Sequence, residues 1–138
     1  MAALMGAPGA NAAASSLVFS PNTTTFRTGA AAGVINNVVA KFSNILPDAP
    51  VATFQMFAWD NSTGLYADPA AAFLAWGKGQ IAGGVSGTFN VNGIGGGMGT
   101  QPNLIGLQSF NIYMVPEPSS MALAGLGAAA LLIFRRRK

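Results

Sequence analysis

The strongest constraint on this chain lies at its C-terminal end. Residues 121–134, MALAGLGAAALLIF, run for fourteen residues without a charge or strongly polar group, and RRRK closes the chain. As a helix the run would measure about 21 Å at 1.5 Å per residue, against a bilayer hydrocarbon core of about 30 Å. Length alone therefore leaves a short buried helix open. The pattern argues otherwise, because a helix packed on a soluble core keeps a polar face at helical spacing, and this run is apolar all round. Met121, Leu123, Leu126, Leu131, Leu132, Ile133 and Phe134 are thus expected to form a single membrane-spanning helix in contact with lipid. Arg135, Arg136, Arg137 and Lys138 would mark its cytoplasmic end, their long stems snorkelling to lengthen the span. The expected topology is single-pass, with the body outside and the C-terminus in the cytoplasm.

Just upstream stands VPEPSS, residues 115–120. Pro116 and Pro118 fix φ and lack an N–H, so the stretch cannot continue a sheet or a helix interior. Glu117 between them is costly to carry into lipid. The segment is expected at the water–lipid boundary, extended and open to an enzyme.

Val115, Pro116, Glu117, Pro118 and Ser119, followed by the apolar run and the basic end, closely resemble the PEP-CTERM sorting signal of bacterial exported proteins. The resemblance spans residues 115–138. It implies that an exosortase, a multi-spanning membrane protease-transpeptidase, recognises the chain at or near Pro116, Glu117 and Pro118. It also implies an inner-membrane anchor before processing, then release or transfer to the cell surface, in bacteria that often make extracellular polysaccharide. The chain would be a substrate, not the enzyme.

Residues 1–114 form the second unit, an extracytoplasmic body. Its charge is balanced: Arg27, Lys41 and Lys78 against Asp48, Asp60 and Asp68. The net charge of +3 belongs to the tail, where RRRK outweighs Glu117. Nucleic-acid binding needs clustered cations that displace phosphate counterions, and the body has no such cluster. Only 8% of residues are charged, against roughly 25% in a typical soluble domain.

The body reads as all-β. Residues 85–92 alternate, with Val85, Gly87, Phe89 and Val91 on one side, as in a half-buried strand. Residues 107–114 place Phe110, Ile112 and Met114 at period two. Residues 51–60 are apolar on both faces, Phe54 and Met56 opposite Phe57 and Trp59, which suits a covered interior strand. Residues 17–20 form a shorter candidate ended by Pro21. Residues 34–42 fit helical spacing at Ile35, Val38, Val39 and Phe42, but β-branching and Asn36–Asn37 favour a strand. Residues 68–77 predict a short helix, with Asp68 as N-cap, Pro69 at the first position and a glycine stop. The expected fold is an antiparallel β-sandwich with one short helix. FRTGAAAG (26–33), ATFQ followed by AWD (52–60) and NLIGLQSF (103–110) resemble a β-rich domain that often precedes this tail.

An exported chain should open with basic residues, an apolar stretch and a small-residue cleavage site. MAALMGAPGANAAAS has no Lys or Arg, and after Met1 only Leu4 and Met5 are large and apolar. It resembles a domain interior, a strand and loop leading into residues 17–19. The expectation is a truncated body, lacking a signal peptide and at least one further strand.

Catalytic and ligand chemistry finds few residues to use. Without histidine or cysteine there is no Ser–His–Asp triad, thiolate nucleophile or cysteine zinc site. A glycosidase pair would have to come from Asp48, Asp60 and Asp68, and all three stand in turn-like contexts. Asp60-Asn61-Ser62-Thr63-Gly64 has oxygens at alternate positions, but the later bidentate Glu of a calcium loop is missing, and a hairpin turn explains it better. Residues 93–99, GIGGGMG, lack the spacing of a nucleotide loop and are expected to be a flexible loop. Asn22 and Asn61 head chance Asn-x-Ser/Thr patterns. Trp59 and Trp76 are candidate sugar platforms, although their apolar neighbours favour core packing. The expectation is a non-enzymatic surface or secreted structural protein without metal or cofactor, in contact with exopolysaccharide. An envelope-anchored carbohydrate-binding module is the alternative, and an extracellular hydrolase a third.

Overall fold

The computed structural model describes residues 1–116 and 126–127. Its frame is one antiparallel sheet. β1 (Ala2–Pro8) pairs with β2 (Val18–Thr24) on one side and with β3 (Val51–Trp59) on the other. The far edge of β3 is shared end to end by β4 (Gly83–Val85) and β5 (Phe89–Asn92).

Period-two alternation sorts β1 and β3 into two apolar faces. Leu4, Ala52, Phe54, Met56 and Val91 point to one. Met5, Phe57 and Trp59 point to the other. The expected doubly covered strand at 51–60 is therefore β3. The N-terminal run of small residues, expected as domain interior, is β1. Its small side chains allow close strand contact: a Cβ on Gly6 would lie 2.7 Å from the ring of Phe54, its register partner.

The helix, α1 (Pro69–Gly77), covers the Phe57 face with Ala72, Phe73, Ala75 and Trp76. Its cap is as expected, the Asp68 carboxylate accepting from the Ala71 N–H at 2.8 Å. The stop falls later than expected. Gly77 is still helical, and Gly79 takes φ +70°. The Gly79 N–H donates to Trp76 and the Gln80 N–H to Ala75, closing the end with a left-handed glycine.

Among the described residues there is one sheet, so the second sheet of the expected sandwich is not found. Coil takes its place on the Phe54 face, carrying Ile35, Phe42, Ile45, Ile94, Leu104 and Leu107. Residues 34–42 are coil apart from a bridge between Phe26 and Ile35. Their backbone groups bond to loop atoms and side chains: the Asn36 N–H donates to the Thr25 carbonyl, and the Lys41 N–H to Ser20 Oγ. Residues 107–114 are likewise coil with a single bridge at Tyr113. This segment passes from one face to the other, Leu107 and Phe110 packing with the Phe54 cluster and Val115 with the Phe57 cluster. A chain crossing the sheet edge cannot keep a strand register.

Two other expectations shift for the same kind of reason. β2 continues through Pro21 to Thr24, and the β1–β2 register is irregular between Ala3 and Met5; an edge strand with a bulge tolerates the missing N–H. The single strand expected over 85–92 is two. Val85 pairs with Phe57 and Phe89 with Phe54, so one extra residue stands between them. That bulge reverses the facing: Val85 packs with the helix-side cluster, while Phe89 and Val91 pack on the opposite face.

Candidate functional site

The residues singled out at the C-terminal end divide at Pro116. Val115 and Pro116 are described, and so is Leu126, which is helical and exposed. Glu117, Pro118, Ser119, Met121, Leu123, Leu131, Leu132, Ile133, Phe134, Arg135, Arg136, Arg137 and Lys138 lie outside the described residues. So does almost all of the expected spanning helix at 121–134. Among the described residues no helix is long and apolar enough to cross a membrane.

The structure does define how the body hands the chain over to that end. Residues 111–115 run along the outer edge of β4. Tyr113 and Gly83 exchange both backbone bonds, the Tyr113 N–H donating at 2.8 Å and the Gly83 N–H at 3.0 Å. The Trp76 indole Nε1–H adds a third bond to the Tyr113 carbonyl at 3.1 Å. The two rings meet edge to face with centroids 5.6 Å apart. Val115 then packs against the cluster of Phe57, Trp59 and Trp76. Gly84 permits the approach, since a Cβ there would collide with the Asn111 carbonyl oxygen. Sequence reading placed Gly83 and Gly84 nowhere in particular. A paired glycine in a strand is a known signal of close backbone approach, and it marks this contact.

The other candidates are taken up by structure. Trp59 is 2% exposed, stacks on Phe57 and donates Nε1–H to the Tyr66 carbonyl at 2.9 Å. Trp76 is 9% exposed and wedged among Phe57, Phe73 and Tyr113. Neither offers a free face for a sugar. The Asp60 carboxylate accepts from the Ser62 N–H at 2.8 Å, and that bond lowers its pKa. Asn61 Oδ1 accepts from the Tyr66 N–H at 2.8 Å, and Gly64 takes φ +73°. The segment is a turn, though it joins β3 to α1 rather than two strands. Asn22 Oδ1 accepts from the Lys41 N–H.

Residues 93–99, expected as a flexible loop, are a loop whose last three amides close on the Asp48 carboxylate. The N–H groups of Gly97, Met98 and Gly99 donate to it at 3.2, 2.7 and 3.0 Å. These bonds hold its pKa below the ordinary carboxylate range, Met98 contributing most. Successive amides converging on an anion form a nest, and here the anion is the chain's own.

A groove of about 550 Å³ opens on the coil-covered face. Leu4, Phe54 and Met56 line its base, and Asn22, Asn36 and Asn103 stand among its polar lining. Among the described residues no charged side chain lines it.

Among known families, residues 115–138 match the one described as the PEP-CTERM protein-sorting motif. No curated protein and no solved structure matches the chain. The chain thus carries the sorting signal of an exported, envelope-targeted protein, a signal recognised by an exosortase. The matched stretch starts at Val115, the residue by which the described body ends its packing.

Proposed function

We propose that this chain is a non-catalytic structural protein of the cell envelope. In this reading its C-terminal signal anchors it once in the inner membrane, RRRK in the cytoplasm, until an exosortase cuts at or near Pro116, Glu117 and Pro118 and sends the body to the surface or the medium. The match of the sorting motif to residues 115–138 carries the reading. The unbroken apolar run followed by four cations supports the anchor and its orientation. The non-catalytic role is supported by the aspartates. Asp60 and Asp68 accept backbone N–H bonds in their own turn and cap, and Asp48 accepts them from the distant loop at 97–99, which suits turn, cap and loop formation rather than proton transfer. Expressed behind an export signal in cells carrying an exosortase, the body should appear outside, shorter by the tail. In a strain deleted for that enzyme the full-length chain should stay in the membrane fraction. Identical products in the two strains would refute the reading.

The groove favours a second reading, contact with a neutral polysaccharide. Carboxamides around an apolar base supply hydrogen-bonding groups without charge, with Asn36 Oδ1 left for a ligand while its Nδ2 is held by Thr25. This moves any sugar contact away from Trp59 and Trp76. Retention on an uncharged polysaccharide matrix that is lost in Asn36→Ala or Asn103→Ala would support it. Retention unchanged in both would remove it.

A further inference from the structure

The junction holds more than a linker requires. One residue, Pro116, separates Val115, packed against the Phe57 cluster, from Glu117 at the centre of the motif. At about 3.3–3.6 Å per extended residue, Glu117 can stand only about 7 Å from the packed valine. A membrane-bound peptidase that takes its substrate as an extended chain would meet the folded body at that distance.

We propose that residues 111–115 are a releasable strap, docked on β4 through Gly83, Gly84 and Trp76, and that its release positions the motif for processing. This rests on the exosortase reading above. The docking is local. Asn111, Ile112, Tyr113 and Met114 are exposed, Tyr113 by 53%. Two backbone bonds, one indole bond, the edge-to-face contact of Tyr113 with Trp76 and the Val115 contact hold the strap, while the sheet core beneath is built by β1, β3 and α1. Segments with few buried contacts and exposed backbone bonds open at far lower cost than the core. Opening all five residues adds about 17 Å of reach, enough to draw the motif clear of the body.

Gly84 gives a clean handle. The nearest atoms to a Cβ there are Asn111 O and C and Ile112 Cα, all in the strap and none in the core. Gly84→Ala should therefore displace the strap and leave the body folded. Tyr113→Pro, which removes the N–H given to Gly83, is a second route to the same state. A third chain carries Gly-Ser-Gly-Ser inserted between Val115 and Pro116, which supplies about 13 Å without touching the strap.

The test follows the processing rate of each full-length chain, expressed behind the same export signal in exosortase-bearing cells, beside backbone amide exchange of the purified chains. Gly84→Ala and Tyr113→Pro should speed processing about tenfold, the equivalent of one or two net hydrogen bonds. Exchange at Gly83 should rise in both while β1 and β3 stay protected. The insertion should match that gain, and Gly84→Ala should add nothing to it. Equal or slower processing in Gly84→Ala, with its body protected, would overturn the strap. The same holds if Gly84→Ala and the insertion add independently. A wild-type chain left unprocessed would instead overturn the sorting reading, and the strap's role with it. If Gly84→Ala loses protection throughout, Tyr113→Pro and the insertion decide alone.

Discussion

Trp76 and Tyr113 meet twice, through the indole N–H to the tyrosine carbonyl at 3.1 Å and through rings set edge to face at 5.6 Å. One residue lies in the last turn of the helix and the other begins the approach to the sorting signal, so α1 is tied to the chain's exit. Trp76→Phe keeps an aromatic ring against Phe57 and Phe73 but removes the donor. It should cost about 1 kcal/mol and increase amide exchange at Tyr113 more than at β3. Trp76→Ala removes the ring as well and should cost about 3–5 kcal/mol in urea unfolding. If the two variants lose the same stability, the ring contributes nothing.

Ser86 occupies the bulge between β4 and β5. Its Oγ accepts from the Met56 N–H at 3.0 Å and donates to the Gly87 carbonyl at 2.8 Å, and the residue is 3% exposed. Ser86→Ala leaves a buried strand N–H without a partner, a loss of about 1–3 kcal/mol. Ser86→Thr retains the hydroxyl and should recover part of it. Thermal unfolding of the two variants tests the difference, and equal melting temperatures would count against the role of the hydroxyl.

Sequence patterning exposed those parts of the fold that rest on local rules. The Asp68–Pro69 helix start is written in adjacent residues. The two-faced strand at 51–59 is written in large apolar residues on both alternations, Phe54 and Met56 against Phe57 and Trp59. The tail was legible for the same reason, its order of Pro-Glu-Pro, apolar run and cations being contiguous. The alternation at 85–92 misled because one bulged residue, Ser86, reverses the facing, and no period-two count detects an insertion. Residues 107–114 misled because a segment that wraps a sheet edge can alternate without pairing. The Asp48 nest was hidden by distance: the acid and its three amides stand about fifty positions apart, and only the fold joins them. The Trp76–Tyr113 contact and the role of Gly84 were hidden in the same way.

Gly6 lies opposite Phe54 in the β1–β3 register. A methyl group there would stand 2.7 and 2.9 Å from ring carbons and 3.0 Å from the Ile45 side chain. The Phe54 ring is itself held by Phe42 and Phe89 and has little room to swing. Gly6→Ala should destabilise the body by about 1–3 kcal/mol through overpacking. Adding Phe54→Leu should restore part of the loss by clearing the ring edge. Denaturant midpoints for the single and double variants check this, and strictly additive losses would show that the two residues do not compete for space.

Asp48 offers the clearest pH test. It stands at φ +55°, a left-handed conformation that Asp and Asn tolerate better than other non-glycine residues. Its folded-state pKa lies below the ordinary value of 3.8. A carboxylate with a depressed folded pKa contributes stability that is full above the unfolded value and fades as pH falls through the folded one. The loop at 95–99 should therefore stay ordered on acidification through pH 5. It should loosen only below the ordinary carboxylate range, as Asp48 gains a proton and its bonds to Met98, Gly99 and Gly97 weaken. Asp48→Asn keeps the backbone conformation accessible but removes the charge and one acceptor oxygen. Amide exchange at Gly97, Met98 and Gly99 should rise in that variant at neutral pH, and its remaining pH dependence between pH 5 and 2 should shrink. Exchange that changes equally with pH in both proteins would place the acid response outside the nest and leave Asp48 without a role in it.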